Sequence, residues 1–283
     1  MKTILVLTDF SDNARNAANI ALDVAIKLDA NLLLLNSYFT PTPIIPAYEA
    51  GIWPEENMTT LQKEFKDDLA SEKIRLLTIL NNKSNQLSVK SILTEGDLAQ
   101  NIKQVVKNKD IDLIVMGGRN KPDLDFLFGS DIKAVIQKAD CPVLIIPNNI
   151  NSLKLNKITF STDLEMADLK SIEKLVQLLK TLNSHIKVVH VSKPVLIADF
   201  KKEDHTPAFM AGLDFLNLKN VSYHNLRGEN IIAELEQFND DTDAGLMAMV
   251  YKKHSLLWNI FFNSHCKTMI DSQKLPLLIF PEV

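Results

Sequence analysis

One succession of patterns runs through the chain twice, and that repeat constrains the fold more than any single segment does. The first copy opens KTILVLTDFSDNARNAANIALDVAIKL from Lys2, and the second opens NKITFSTDLEMADLKSIEKLVQLLKTL from Asn156. Each is a short β-rich strand ending in Thr-Asp, followed by an amphipathic helix. Ala17, Ile20, Ala21, Val24 and Leu28 fall at helical spacing in the first copy, as do Ile172, Leu175, Val176 and Leu179 in the second. A second strand follows in each, ANLLLLNSYF and SHIKVVHVSK, and then a Pro-containing stretch. SVKSILTEGDLAQNIKQVV pairs with VSYHNLRGENIIAELEQF, with Gly96-Asp97 and Gly228-Glu229 at the same strand-to-helix turn. IDLIVMGG pairs with AGLMAMVY, and CPVLIIP with LPLLIFP. The unit reads as βαββαβαβ, written twice and joined by the polar, turn-rich stretch Asn148–Asn156.

Strands such as LLLL, DLIVM and VLIIP are apolar on both faces and alternate with helices, which predicts a parallel sheet covered on both sides. The expected fold is therefore α/β: two tandem doubly wound parallel-sheet domains, residues 1–148 and 155–283. A chain of 283 residues gives each half enough length for its own core. Ligands of such sheets sit at the carboxyl ends of the strands, near the topological switch point. The loops after Leu7, Leu35, Glu95 and Met116 are thus the places for a site.

Several function classes are excluded at this stage. The net charge of −4, with both signs interspersed, leaves no basic footprint for nucleic acid. The apolar run before Asp9 is shorter than a signal-peptide core, and no stretch approaches the ~18–20 apolar residues of a membrane span. Cys141 and Cys266 make no disulfide framework and are expected to be small buried residues of a cytoplasmic protein. His185 and His190 are separated by strand, and His205, His224, His254 and His265 have no ligand spacing, so no structural metal is expected. There is no P-loop and no nucleophile elbow, and nothing supplies an obvious base or nucleophile.

The stretch MGGRNKPDLDFLFGSDIKAVI, Met116 to Ile136, is the candidate phosphate cradle. Glycines let the backbone approach a phosphate, and a helix N-terminus offers unpaired N–H groups. Ser130 can cap that helix, whose apolar face is Ile132, Val135, Ile136 and Ala139. The same residues also read as a glycine-containing loop before an ordinary serine cap. Asp9 can accept from a base or ribose hydroxyl; alternatively Asp9 or Ser11 caps the first helix. Thr162-Asp163 repeats that pattern, which favours a structural share. The long Pro-rich segment Thr40–Pro54, with Ile44, Ile45, Tyr48 and Trp53, would cover a pocket or pack on its own domain or the other half.

LVLTDFS, GDLAQNIKQVV, DLIVMGG, FLFGS and CPVLIIP, in that order and repeated, resemble the universal stress protein family in its tandem, two-domain form. The resemblance covers nearly all of the chain. It implies a Rossmann-like, adenine-nucleotide alpha-hydrolase-like fold whose nucleotide-binding members carry G-x-x-G, nine residues, then G-[ST]. On that pattern Asp9 would face adenine or ribose, Ser37 would lie against the base, and Met116, Gly117, Gly129 and Ser130 would surround ribose and phosphates. Thr8, Gly118 and Arg119 complete the candidate nucleotide-binding set.

The chain departs from the pattern in ways that bear on binding. Gly117 and Gly129 stand one residue closer than the pattern requires, Pro122 removes a backbone donor, and Asp123, Asp125 and Asp131 add negative charge. Arg119 and Lys121 would partly compensate. In the second half, AMVYKKHSLLWNIFFNSHCKTMI contains no glycine, and Asn263-Ser264 stands where Gly129-Ser130 stands, so no nucleotide is expected there. The reading is a cytoplasmic stress-response protein, non-catalytic, that senses a ligand or binds other proteins. Its first domain would take ATP or a related adenine nucleotide. Its last strands would pair the domains as an intrachain pseudo-dimer, and a homodimer is possible. The alternatives are a slow ATPase or phosphotransferase, with Asp9 holding a metal beside the phosphates, and a purely structural module with both pockets closed.

Overall fold

A computed structural model of the chain describes residues 2–38, 55–82, 87–118, 130–192, 205–253 and 275–282. The first half runs β1 (Lys2–Leu7), α1 (Asp12–Leu28), β2 (Ala30–Tyr38), α2 (Glu55–Asn82), β3 (Val89–Glu95), α3 (Leu98–Lys109), β4 (Leu113–Gly117), α4 (Ser130–Lys138) and β5 (Val143–Ile146). The second runs β6 (Lys157–Ser161), α5 (Met166–Leu178), β7 (His185–Ser192), α6 (Thr206–Phe215), β8 (Val221–Arg227), α7 (Ile231–Thr242), β9 (Leu246–Val250) and β10 (Leu277–Phe280).

All ten described strands join one sheet in the order β3-β2-β1-β4-β5-β10-β9-β6-β7-β8. Pairing is parallel except at the centre, where β10 runs antiparallel to β5 with Leu278 opposite Leu144. The strand order therefore reads the same outward from this seam in either direction. Successive residues of a strand point to opposite faces, and both sheet faces are buried at the seam. Leu144, Ile146, Leu278 and Phe280 join the core on one face, and Val143, Ile145, Leu277 and Ile279 on the other. Fully burying one such side chain is worth about 1.5–3 kcal/mol, so the seam is an apolar core continuous through both halves.

The repeat holds at the level of single hydrogen bonds. Thr8 N–H donates to Leu35 O and Thr162 N–H to Val189 O, both at 3.0 Å. Each threonine Oγ1 then accepts from the N–H two residues on, that of Phe10 at 3.1 Å and of Leu164 at 2.9 Å. Phe10 and Leu164 both sit in the left-handed region, with φ of 64° and 63°. The threonine side chain closes a turn that would otherwise be costly for a non-glycine residue.

Two elements correct the unit as read from sequence. Between β2 and β3 lies α2, a helix of 28 residues, and α6 occupies the matching place in the second half. Each half alternates β-α-β-α-β-α-β and closes on a fifth strand, reached in the first half through α4. Charged residues conceal α2: among its described side chains Leu69, Glu72, Leu76 and Leu80 are the deeply buried ones, a stripe one residue wide. Glu72 is held there by Arg75, whose Nη2 and Nε donate to the carboxylate at 2.6 and 2.8 Å, while Arg75 Nη1 reaches Asn19 Oδ1 on α1 at 2.7 Å.

Candidate functional site

A cavity of about 440 Å³ opens at the carboxyl ends of β1, β2 and β4. The amino ends of three helices face it: Ser11, Asn13 and Ala14 of α1, Asp97, Leu98 and Ala99 of α3, and Ile132 and Ala134 of α4. The first N–H groups of a helix have no partner inside it, and its dipole is positive at that end. Three such ends around one cavity make a field suited to an anion. Among the described lining residues there is no histidine, cysteine, lysine or arginine. Attraction for an anion there would thus come from backbone N–H groups, against the carboxylates of Asp9 and Asp97 that also line the cavity, and nothing described at the cavity can act as an attacking thiol or amine.

The α1 end is built by a short relay. Ser11 is the N-cap, its Oγ accepting from Ala14 N–H at 3.3 Å. Asp9 Oδ1 accepts from both the N–H and the hydroxyl of Ser11, at 3.1 and 2.5 Å. Of the two capping residues the sequence allowed, Ser11 caps and Asp9 holds Ser11. Thr8 is buried and presents its carbonyl to Asn36 Nδ2 at 2.8 Å.

Ser37 lines the cavity, but its hydroxyl is engaged: it donates to Gly96 O at 2.8 Å and accepts from Asn101 Nδ2 at 2.9 Å. Gly96 turns the chain from β3 towards α3 with φ of 99°, a conformation that glycine adopts without strain. Asp97 caps α3 through its carboxylate, which accepts from Gln100 N–H at 2.9 Å.

Met116, Gly117 and Gly118 form the far wall. A Cβ on Gly117 would lie 2.9 Å from Asn13 O, so this glycine lets α1 close on the end of β4. Gly118 N–H donates to Ile146 O at 2.8 Å, and Gly118 O accepts from Asn13 Nδ2 at 3.0 Å. Asn13, Asn36 and Asn101, which tie these ends together, escape a reading by motif. Only Asn36 leaves a signal, because His190 stands at its place in the repeat and meets the matching carbonyl, Thr162 O, through Nδ1 at 2.9 Å. A carbonyl only accepts, so Nδ1 carries the proton and the histidine bonds to the backbone.

Thr8, Asp9, Ser37, Met116, Gly117 and Gly118 therefore converge on one cavity. Ser130 opens α4, where its backbone position is described. Arg119 and Gly129 lie outside the described residues, as do Lys121, Pro122, Asp123, Asp125, the segment Thr40–Pro54, and Trp258, Asn263, Ser264 and Cys266. Among the described residues no group of three or more His, Cys, Asp or Glu side chains could hold a metal ion, and no helix is long and apolar enough to cross a membrane.

The sheet and its strand-end cavity define the chain as an α/β protein of the open, mostly parallel, Rossmann-like class. Residues 1–147 match the profile of the universal stress protein family. A universal stress protein of Methanocaldococcus jannaschii is 30% identical over 146 residues, covering 51% of this chain and 81% of that protein. One of Thermus aquaticus is 31% identical over 146 residues, covering 51% of this chain and 98% of that protein. A universal stress protein from Archaeoglobus fulgidus has the same fold along nearly the whole chain, with a TM-score of 0.70 at 16% identity, covering 99% of this chain and 96% of that one. The chain belongs to the universal stress protein family.

Proposed function

We propose that this chain is a stress-response protein that binds ATP or a related adenine nucleotide in its first half, residues 1–148, and acts by sensing that ligand or by binding other proteins rather than by turnover. The observation that carries the reading is the convergence of the α1, α3 and α4 amino ends on a 440 Å³ cavity bounded by Asp9, Ser37 and Gly118. That volume lies in the ~300–1,000 Å³ range of small-molecule sites. The backbone N–H groups suit phosphates, and Asp9 Oδ2, which has no partner among the described residues, suits a ribose hydroxyl or an amino group. A slow phosphotransferase would need an acid free to hold a metal. Asp9 Oδ2 is the one oxygen of that carboxylate left for it, so turnover abolished by D9A would favour that reading and no turnover above a denatured control would count against it.

The halves 1–148 and 155–283 act in this proposal as a pseudo-dimer within one chain, held by the β5–β10 seam. The test is to denature the purified protein and identify released small molecules by mass spectrometry, alongside a thermal melt with ATP. A co-purifying adenine nucleotide, or a melting temperature raised by ATP, supports the reading. Protein that carries no nucleotide and does not respond to ATP overturns it.

A further inference from the structure

The second half holds a buried polar cluster where the first half has its cavity. Tyr251 N–H donates to Phe280 O at 2.7 Å as Gly118 N–H does to Ile146 O, so Tyr251 matches Gly118 and Lys252 is the second residue beyond the end of β9. Asp168 stands six residues after Thr162, as the cavity-lining Ala14 stands six after Thr8. Lys252 Nζ lies 2.6 Å from Asp168 Oδ1 and 3.1 Å from Glu165 Oε2. Thr162 Oγ1 donates to Asp168 Oδ2 at 2.7 Å. Lys252 and Asp168 are 5% and 1% exposed, so the pair is sealed from solvent.

We infer that this lysine–carboxylate pair takes the place of an anionic ligand in the second half, filling that half's strand-end cleft from within and closing it to phosphate-bearing molecules. A cation alone there would attract a phosphate. With Asp168 beside it the charge is already answered, and the carboxylate would repel an incoming anion. Burial works against the Lys252 charge, but Asp168 and then Glu165 outweigh it and raise its pKa. Burial pushes the Asp168 carboxyl up, helped by nearby Asp163, and Lys252 and Thr162 pull against that rise. The cluster ties the ends of β6 and β9 to the first turn of α5. It stands whether or not the first half takes a nucleotide.

The test uses the full chain and the variants K252M, D168N and D168N/K252M. K252M strands a buried carboxylate and should lower the melting temperature by about 10 °C. The double variant should melt above K252M, because the stranded charge is gone. Among the described residues, the groups facing the site are Asp163, Glu165 and Asp168, with His190 beyond Thr162. Without its lysine, Asp168 has a folded-state pKa further above its unfolded value. The deficit of K252M relative to wild type should therefore be present at neutral pH and shrink as pH falls towards 4. A double variant no more stable than K252M, with a deficit independent of pH, overturns the inference.

Hydrogen exchange on the wild type with millimolar inorganic pyrophosphate gives a second reading that does not depend on any variant folding. Unchanged exchange in residues 162–169 and 246–253 is expected, and protection there overturns the inference. Residues 9–18 report the first half separately.

Discussion

The carbonyl oxygen of Asn13 in the first turn of α1 faces the α-carbon of Gly117 at the end of β4 so closely that a Cβ there would stand 2.9 Å from it. The obstructing atom is backbone, in a helix that Ser11 caps, so it cannot swing aside. G117A is therefore expected to cost about 1–3 kcal/mol by overpacking, and to lower the melting temperature by roughly 3–10 °C. At Gly118 the nearest atom to a built Cβ is Ile146 O at 3.4 Å, so G118A should melt closer to wild type. Equal losses for the two variants would show that the close approach of α1 does not set the requirement for glycine.

The relay from Asp9 through Ser11 to Ala14 predicts coupling between two residues that a motif treats separately. S11A should cost about 1 kcal/mol, the usual worth of a serine N-cap. D9A should cost less stability, because the carboxylate acts on the helix only through Ser11. The two losses should not add, since removing Ser11 removes the partner of Asp9 Oδ1. If the first half binds ATP, D9A should weaken binding by more than its stability loss accounts for. Additive losses in melts of the single and double variants would show that the relay carries no energy.

How far the sequence reached can be judged from particular residues. VLIIP was legible as a strand apolar on both faces and LLIFP as its counterpart in the repeat, whereas their pairing with each other came only as an implication of the family resemblance. The cavity was legible through Thr8-Asp9 and Met116-Gly117-Gly118, because strand-end positions in an alternating fold are fixed by topology. Gly117 was legible as a glycine for a phosphate, but the structure gives it a different neighbour, the backbone of Asn13. A motif records where a side chain is absent and not what fills the space. α2 was missed because its buried stripe is narrow and contains Glu72, a charge that becomes compatible with burial only through Arg75. Asn13 and Asn101 were invisible for the same reason: their partners, Gly118 O, Ser37 Oγ and Glu95 O, are distant in sequence or belong to the backbone.

Arg75 and Glu72 give a sharper test of how α2 is held. Glu72 is 5% exposed, and its carboxylate is forked by Arg75, which also reaches Asn19 on α1. R75M leaves the carboxylate buried without its counter-charge and should cost about 3 kcal/mol, whereas R75M/E72M replaces the pair by apolar groups and should regain much of that loss. A double variant as unstable as R75M would show that the helix is held by packing of the Arg75 stem.

Cys141 supplies a prediction in pH. Burial, followed by the charges of Asp112 and Asp140, pushes its thiol up to about 12. At pH 8 the folded protein should therefore leave Cys141 unmodified by iodoacetamide, while the same peptide becomes alkylated in denaturant, as followed by mass spectrometry. The raised value also sets a sign for stability. Below the ordinary thiol pKa of 9.0 the group is neutral in both states and contributes no pH dependence. Between 9.0 and about 12 the unfolded chain loses the proton while the folded chain keeps it, so stability falls as pH rises through this window. C141A removes the titrating group, and its melting temperature should decline less steeply than that of wild type between pH 9 and 11. Parallel declines in the two proteins, or ready alkylation of folded protein at pH 8, would mean that the thiol at the start of β5 is open to solvent.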